Sequence, residues 1–158
     1  MPIIFTGTSE HSIDAKLRLS IPAKHRSQLE GVPNAGVWFA VPYGLGVIRL
    51  YPKATYEELS AKGMNRLLPD RDSSDLVVGF HGHTEQLEVD AQGRVGFPKW
   101  TIEDAALVGV SEVVIVGSGS WLEVRDRAAW QAARRARVAA LPDLVTKIQR
   151  EMRQDGPK

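Results

Sequence analysis

The chain has 158 residues, 43% hydrophobic and 25% charged, with a formal net charge of +1. Those values fit one compact domain or two small fused ones, do not argue for a disordered chain, and do not by themselves announce a nucleic-acid binder. The lack of cysteine excludes a disulfide framework, a thiol nucleophile and a cysteine metal site, and accords with a reducing cytoplasm.

No basic segment precedes a long apolar run at the N-terminus, so no signal peptide is expected. No stretch reaches the roughly 20 apolar residues of a membrane helix. Residues 10–13 are expected as a strand leading into Asp14-Ala15-Lys16-Leu17-Arg18. Residues 18–21 alternate polar with apolar, the period of a half-buried strand. Pro22 follows where a helix can begin, since a first-turn residue loses nothing by lacking an N–H, and Gly31 suits its end. Residues 37–41 are strand-like, and Gly44-Leu45-Gly46 turns the chain into a further strand at 47–51. Pro52 opens a helix containing Tyr56, Leu59 and Met64, and residues 68–74, rich in Pro, Asp and Ser, read as a linker.

The second half repeats the first. Asp90-Ala91-Gln92-Gly93-Arg94-Val95-Gly96-Phe97-Pro98 matches Asp14 to Pro22 in its Asp, Ala, Arg and Pro. Residues 85–89 form the strand before it, 112–116 and 120–124 the strands after it, with Gly117-Ser118-Gly119 as the turn. Val47-Ile48-Arg49-Leu50-Tyr51 corresponds to Trp121-Leu122-Glu123-Val124-Arg125, and the aromatics Tyr56 and Trp130 share an offset. Asp126 is expected to cap a helix through Trp130 and Val138, Leu141-Pro142-Asp143 to break it, and a last amphipathic helix to run from Leu144 towards Met152. Residues 154–158 read as a frayed tail.

Four short strands with one apolar face cannot form a stable core alone. Two copies can bury those faces against each other and cover their edges. The expected fold is therefore α+β, mainly β: a pseudo-symmetric β-barrel from two tandem βαββ-type repeats with flanking helices. Repeat 1 is assigned to residues 5–55, repeat 2 to 80–127, and a C-terminal helical extension to 128–158.

Each repeat carries an Asp-x-x-x-Arg loop between strands. On one reading Asp14 accepts backbone N–H groups or pairs with Arg18 and only fixes the turn. On the other, the arginine contacts phosphate or a guanine edge while the aspartate holds the loop. Lys16, Arg18, Lys24 and Arg26, with His25, gather around the first loop without an acid among them. The basic run Arg134, Arg135, Arg137, Lys147, Arg150 and Arg153 reads as solvated helix face.

Enzyme readings find little to stand on. Gly44-Leu45-Gly46 and Gly117-Ser118-Gly119-Ser120 lack the Lys-Ser/Thr of a P-loop and the full dinucleotide fingerprint. Ser20, His25 and Asp14 carry no nucleophile-elbow signature. His81, His83 and Glu85 would share one face of a strand, a pattern that can ligate a metal but more often is exposed polar strand. No enzyme activity, cofactor, metal or small-molecule substrate is expected.

The segment from Glu10 to Arg26 resembles the first repeat of the MraZ family, and Asp90-Ala91-Gln92-Gly93-Arg94 is similar to that family's Asp-x-x-Gly-Arg signature in full. Leu50-Tyr51-Pro52 and Val114-Ile115-Val116-Gly117 fit as well, so the resemblance covers roughly residues 4–131. It implies two fused SpoVT-AbrB-like swapped-hairpin units in a DNA-binding transcription regulator, cytoplasmic and nucleoid-associated. It also implies a homo-oligomeric ring acting on repeated double-stranded DNA sites of the division and cell-wall gene cluster. By motif position Arg18 and Arg94 would contact DNA, with Asp14, Asp90 and Gly93 shaping the loops. On charge grounds Lys16, Lys24 and Arg26 would support phosphate contacts, and the first repeat would supply most of the attraction. The alternative is an antitoxin-like or non-catalytic protein-interaction module, with the helix after Pro142 docking a partner or packing on its own chain or a neighbouring subunit. Two departures stand out. Leu17 replaces the signature glycine, so a positive φ there would be strained and the first loop is expected to differ in shape. Arg71-Asp72-Ser73-Ser74-Asp75 is also less basic than the family's linker.

Overall fold

The structure, a computed structural model, describes residues 3–63 and 70–156. Its elements run β1 (Thr8–Ser12), β2 (Arg18–Ser20), α1 (Ala23–Ser27), β3 (Val37–Pro42), β4 (Val47–Pro52) and α2 (Lys53–Gly63). The series then continues with α3 (Arg71–Gly82), β5 (Glu85–Glu88), β6 (Arg94–Gly96), α4 (Lys99–Asp104), β7 (Glu112–Gly117), β8 (Leu122–Asp126), α5 (Arg127–Ala132) and α6 (Arg134–Gln154). One compact unit extends to Arg127 and a second begins at Ala128. Among the described residues no helix is long and apolar enough to cross a membrane.

Six strands form an antiparallel sheet in the order β1-β7-β8-β4-β3-β5, and β2 pairs with β6 in a separate ribbon. The order mixes the repeats. The first strand of repeat 1 pairs with the third strand of repeat 2, with Glu10 opposite Val114. The first strand of repeat 2 pairs in turn with the third strand of repeat 1, with Leu87 opposite Trp38. The pseudo-twofold runs between β4 and β8, where Arg49 faces Glu123, and between β2 and β6, where Leu19 faces Val95.

The expectation of a closed barrel is corrected: the six-stranded sheet is open, with β1 and β5 at its edges. The ribbon strands are three residues each and belong to their own sheet, so they cover the larger sheet without completing its ladder. Leu19 and Val95 from the ribbon share one core with Trp38, Ile48, Leu50, Ile115, Leu122 and Val124 from the sheet. Burial of those side chains, each worth roughly 1.5–3 kcal/mol, joins the repeats into one folding unit. Edge strand β1 alternates exposed with half-buried residues and carries Glu10, a pattern that discourages edge pairing with other chains.

Strands β3, β4 and β8 are buried on both faces, which explains their near-continuous apolar character. Phe39, Val41 and Tyr51 turn away from the main core and meet Tyr56 of α2, Phe80 of α3 and Trp121. Phe39 stacks on Tyr56 with ring centroids 4.2 Å apart. On that same face Glu123 is buried and receives Arg49 Nε at 3.2 Å, Trp121 Nε1 at 2.9 Å and Arg125 Nη2 at 2.6 Å. Burial pushes the Glu123 carboxyl up, but the Trp121 and Arg125 hydrogen bonds with the Arg125 and Arg49 charges outweigh it and hold the group below the usual range. Arg49 is sandwiched, its guanidinium carbon 3.5 Å from the Tyr43 ring centre and 4.4 Å from that of Trp121.

Several expected boundaries move. The first helix ends at Ser27, and the chain reaches Gly31 through turns. Of the expected linker, residues 68 and 69 lie outside the described residues, as does Met64. From Asp70 onward it is helical instead: the Asp70 Oδ1 accepts the Ser73 N–H at 2.7 Å and so caps α3. The expected break at Leu141-Pro142-Asp143 is also corrected, because α6 runs through Pro142 and the interruption falls at Ala133. A proline removes one N–H from the helical ladder, and the neighbouring turns sustain the helix around it. Nearby, the Thr146 hydroxyl donates to the Pro142 carbonyl at 3.0 Å. The expected tail begins late as well: Gln154 ends α6 and Asp155 caps it, while 157–158 lie outside the described residues. At the other end of the chain, Phe5 is fully buried and bridges to Gly119, and the backbone of Phe5 and Thr6 passes so close over Gly117 that no β-carbon would fit there.

Candidate nucleic-acid interface

Asp14 ends the segment after β1, and Arg18 opens β2. The Asp14 Oδ1 accepts the backbone N–H groups of Lys16 and Arg18, each at 2.9 Å, and its Oδ2 accepts Arg18 Nε at 2.7 Å. The backbone closes the loop with Asp14 N–H to the Arg18 carbonyl at 3.0 Å and Leu17 N–H to the Asp14 carbonyl at 2.9 Å. The second loop repeats every one of these contacts. The Asp90 Oδ1 accepts Gln92 N–H at 2.9 Å and Arg94 N–H at 3.0 Å, and its Oδ2 accepts Arg94 Nε at 2.9 Å. Hydrogen bonds from the Arg18 and Arg94 backbones, opposed by slight burial and reinforced by the arginine side chains, hold both carboxyls below the usual aspartate range. Both aspartates are therefore ionised acceptors that lock an arginine at its Nε.

Leu17 adopts φ 60° and Gly93 φ 75°, so the first loop takes the shape of the second despite its missing glycine, contrary to expectation. What differs lies around the loops. A β-carbon on Gly93 would come 2.7 Å from the Arg26 Cζ, so the Arg26 guanidinium occupies the space that the glycine leaves. Arg26 Nε also donates to the Ile21 carbonyl at 2.9 Å. At the first loop the half-buried Leu17 side chain packs instead against the main core, lining a recess with Ile102, Leu107 and Val110. Arg26, counted by sequence with the first loop, is thus placed against the second.

The ribbon determines what the two arginines can do together. Arg18 faces Gly96 and Arg94 faces Ser20 across the β2–β6 ladder, while Leu19 and Val95 between them point into the core. Side chains alternate across a strand, so Arg18 and Arg94 share the ribbon face away from the core. They are diagonal neighbours, a separation of roughly 7–8 Å in such a ladder. Gly96 leaves room for the stem of Arg18, whose Cγ lies 3.9 Å from where a β-carbon would be. Arg94 Nη2 donates to the Gln92 side chain at 2.7 Å. Among the described residues no hydrogen bond is found for the Arg18 terminal nitrogens. Lys16 is exposed at the first loop tip, and Lys24 is exposed with its Nζ 3.3 Å from the Thr6 carbonyl.

The remaining candidates are not brought together. His81 lies in α3, with its Nδ1 against the Tyr56 hydroxyl, and His83 caps that helix and meets Asp104 at 3.3 Å. The expected strand carrying both is therefore replaced by a helix end, and no group of metal-ligating side chains occurs among the described residues. His25 is 1% exposed, with Phe5 edge-on at 5.3 Å, and neither ring nitrogen has a partner among the described residues. It is a core side chain. The Arg49–Glu123 pair at the pseudo-twofold was not singled out as an ion pair by sequence reasoning; its alignment at matched positions of the two repeats was the available signal.

Comparison with known proteins agrees with this architecture. Residues 4–72 and 80–141 match the model of the family described as "MraZ protein, putative antitoxin-like". The chain is 32% identical to the "Transcriptional regulator MraZ" of Halorhodospira halophila over 83% of its own length and 85% of the relative's. It is 33% identical to the protein of that name from Ligilactobacillus salivarius, over 82% and 85% of the two lengths. For Lactiplantibacillus plantarum the identity is 32% over 92% of this chain and 98% of the relative. With both halves of its duplicated, strand-exchanged sheet matched in order, the chain belongs to the MraZ family.

Proposed function

We propose that the chain is a sequence-specific DNA-binding transcription regulator whose contact surface is the outer face of the β2–β6 ribbon. The observation that carries this reading is the placement of Arg18 and Arg94 side by side on that face, each held at Nε by its own aspartate. A two-stranded ribbon fits the major groove of B-DNA, and arginine reads guanine O6 and N7 there. Locking Nε removes rotamer freedom before binding and leaves the Arg18 terminal nitrogens for the base edge or a phosphate, while Arg94 must exchange its Nη2 bond to Gln92 to do the same. Lys16, Lys24 and Arg26 flank the ribbon as phosphate contacts. Relatives carrying the name transcriptional regulator support the assignment.

One chain at net charge +1 has little long-range attraction for DNA. We therefore assign the working form to a ring-shaped homo-oligomer in the cytoplasm, on the nucleoid, acting at repeated promoter sites of the division and cell-wall cluster. Each phosphate contact adds about −0.9 to the log–log salt slope, and linking subunits raises avidity roughly 10²–10⁴-fold. Residues 5–55 and 80–127 act as the two DNA-facing repeats, and 128–158 as the extension.

Fluorescence anisotropy with DNA from upstream of the organism's own division cluster tests this. Arg18→Ala and Arg94→Ala are each expected to weaken binding by about tenfold or more, the loss of one good arginine–base contact. Unchanged affinity in both variants rejects the ribbon as the contact surface. The family description as antitoxin-like keeps a protein-interaction role as the second reading, distinguished by pull-down with and without the residues after Pro142 alongside oligomer state.

A further inference from the structure

Helix α6 exposes a continuous apolar stripe. Val138, Leu141, Leu144, Val145, Ile148 and Met152 are each between 49% and 71% exposed. Val138, Leu141, Val145, Ile148 and Met152 recur at alternating three- and four-residue steps, the a and d positions of a heptad seam, and Leu144 sits on the flank at g. The match to the family model ends at residue 141, so most of this seam lies beyond it.

We infer that α6 pairs antiparallel with α6 of a second copy of this chain. The pattern is self-complementary in a register that also matches charge. Val138 then faces the partner's Ile148, Leu141 faces the partner's Val145, and Leu144 meets the partner's Leu144 on the twofold axis. In that same register the flanking Arg137 falls beside the partner's Glu151, and symmetry repeats the pair at the other end. A parallel pair instead sets Arg137 against Pro142, Leu144 against Gln149 and Glu151 against Gly156, with no charge match. An isologous contact of this kind uses one patch twice, which accounts for complementarity between the two ends of a single helix. Arg137 is held at its end of the seam by Trp130, its guanidinium carbon 3.5 Å over the ring.

The paired segment from Arg137 to Glu151 is about 22 Å long at 1.5 Å rise per residue. Two heptads are marginal alone. The contact therefore acts as a second interface, and it rests on the oligomer proposed above to hold the chains at high effective concentration.

The lack of native cysteine makes disulfide trapping in the full chain a direct test, done without DNA so that it is independent of the ribbon assignment. Leu144→Cys is expected to form a chain-to-chain disulfide on mild oxidation. Val138→Cys is expected not to link with itself but to link when mixed with Ile148→Cys. Glu151→Arg should slow the Leu144→Cys linkage about tenfold, and adding Arg137→Glu should restore it, with circular dichroism verifying the fold of each variant. Self-linkage of Val138→Cys with no linkage of Leu144→Cys would mean a parallel pair and overturn the register. No linkage by any variant, with the fold intact, overturns pairing of α6 with a second copy.

Discussion

The contact between Gly93 and Arg26 couples the two repeats at the second loop, and Gly93→Ala probes it. Gly93 has φ 75°, a region that costs an L-residue roughly 1–2 kcal/mol, offset by about 0.5–1 kcal/mol because alanine restricts the unfolded chain. The new β-carbon would also lie 2.7 Å from the Arg26 Cζ, so the guanidinium must move and lose the 2.9 Å bond to the Ile21 carbonyl. That bond contributes about 1 kcal/mol at an accessible site. The expected total is roughly 1.5–2 kcal/mol, a fall in Tm of about 3–8 °C for a chain of this size. Urea unfolding of wild type, Gly93→Ala, Arg26→Ala and the double variant supplies the cycle. Because Arg26→Ala has already removed the obstacle, Gly93→Ala should cost only about 0.5–1 kcal/mol in that background. Equal costs in both backgrounds would falsify the claim that Arg26 occupies the glycine's space.

Leu17→Gly relieves the positive φ but gives up half-buried packing and gains unfolded-state entropy, so stability should stay within about 0.5 kcal/mol of wild type. Leu17→Ala keeps the strain and loses the packing, at about 1 kcal/mol or more, and a glycine variant less stable than the alanine one would contradict this account. Glu123→Gln leaves Arg49 and Arg125 facing a neutral amide, with an expected loss of about 2–3 kcal/mol by urea unfolding followed at the tryptophans; a neutral result would show that the aromatic sandwich alone holds Arg49. Burial, then the Lys24 and His11 charges, lower the His25 pKa below 6.5, and burial with the Arg127 charge lowers that of His11. For both, the unfolded chain binds protons more readily, so the stabilising difference is fully present above about pH 6.5 and is lost as pH falls through that value towards the folded pKa. Unfolding curves between pH 7.5 and 5, above the range of the lowered carboxylates, should show this slope, and His25→Phe should reduce it. An unchanged slope would exclude His25 as its source.

The duplicated loop was legible in the chain because its chemistry is local. An aspartate four residues before an arginine satisfies the backbone between them, so Asp14–Arg18 and Asp90–Arg94 form the same turn wherever the strands later pair. The strands were legible from local signals too, residues 18–21 by polar–apolar alternation and residues 37–41 and 112–116 by their β-branched apolar runs. Helix α3 was missed because the acidic and serine-rich start that caps a helix resembles a linker when read by composition alone. Pro142 reads as a terminator in sequence, although one missing N–H in a helix of 21 residues removes a small part of its ladder.

By itself the sequence determined that there are two copies of one unit, each with an Asp-x-x-x-Arg segment between its strands. Only the tertiary structure decided that the copies exchange strands, that the sheet stays open, and that Arg26 serves the opposite repeat's loop. It also decided that Arg18 and Arg94 lie diagonally on one ribbon face. Each of these depends on pairing between residues far apart in the chain. Pairing of that kind is selected by shared burial of both repeats' apolar faces, a property that neither copy possesses alone.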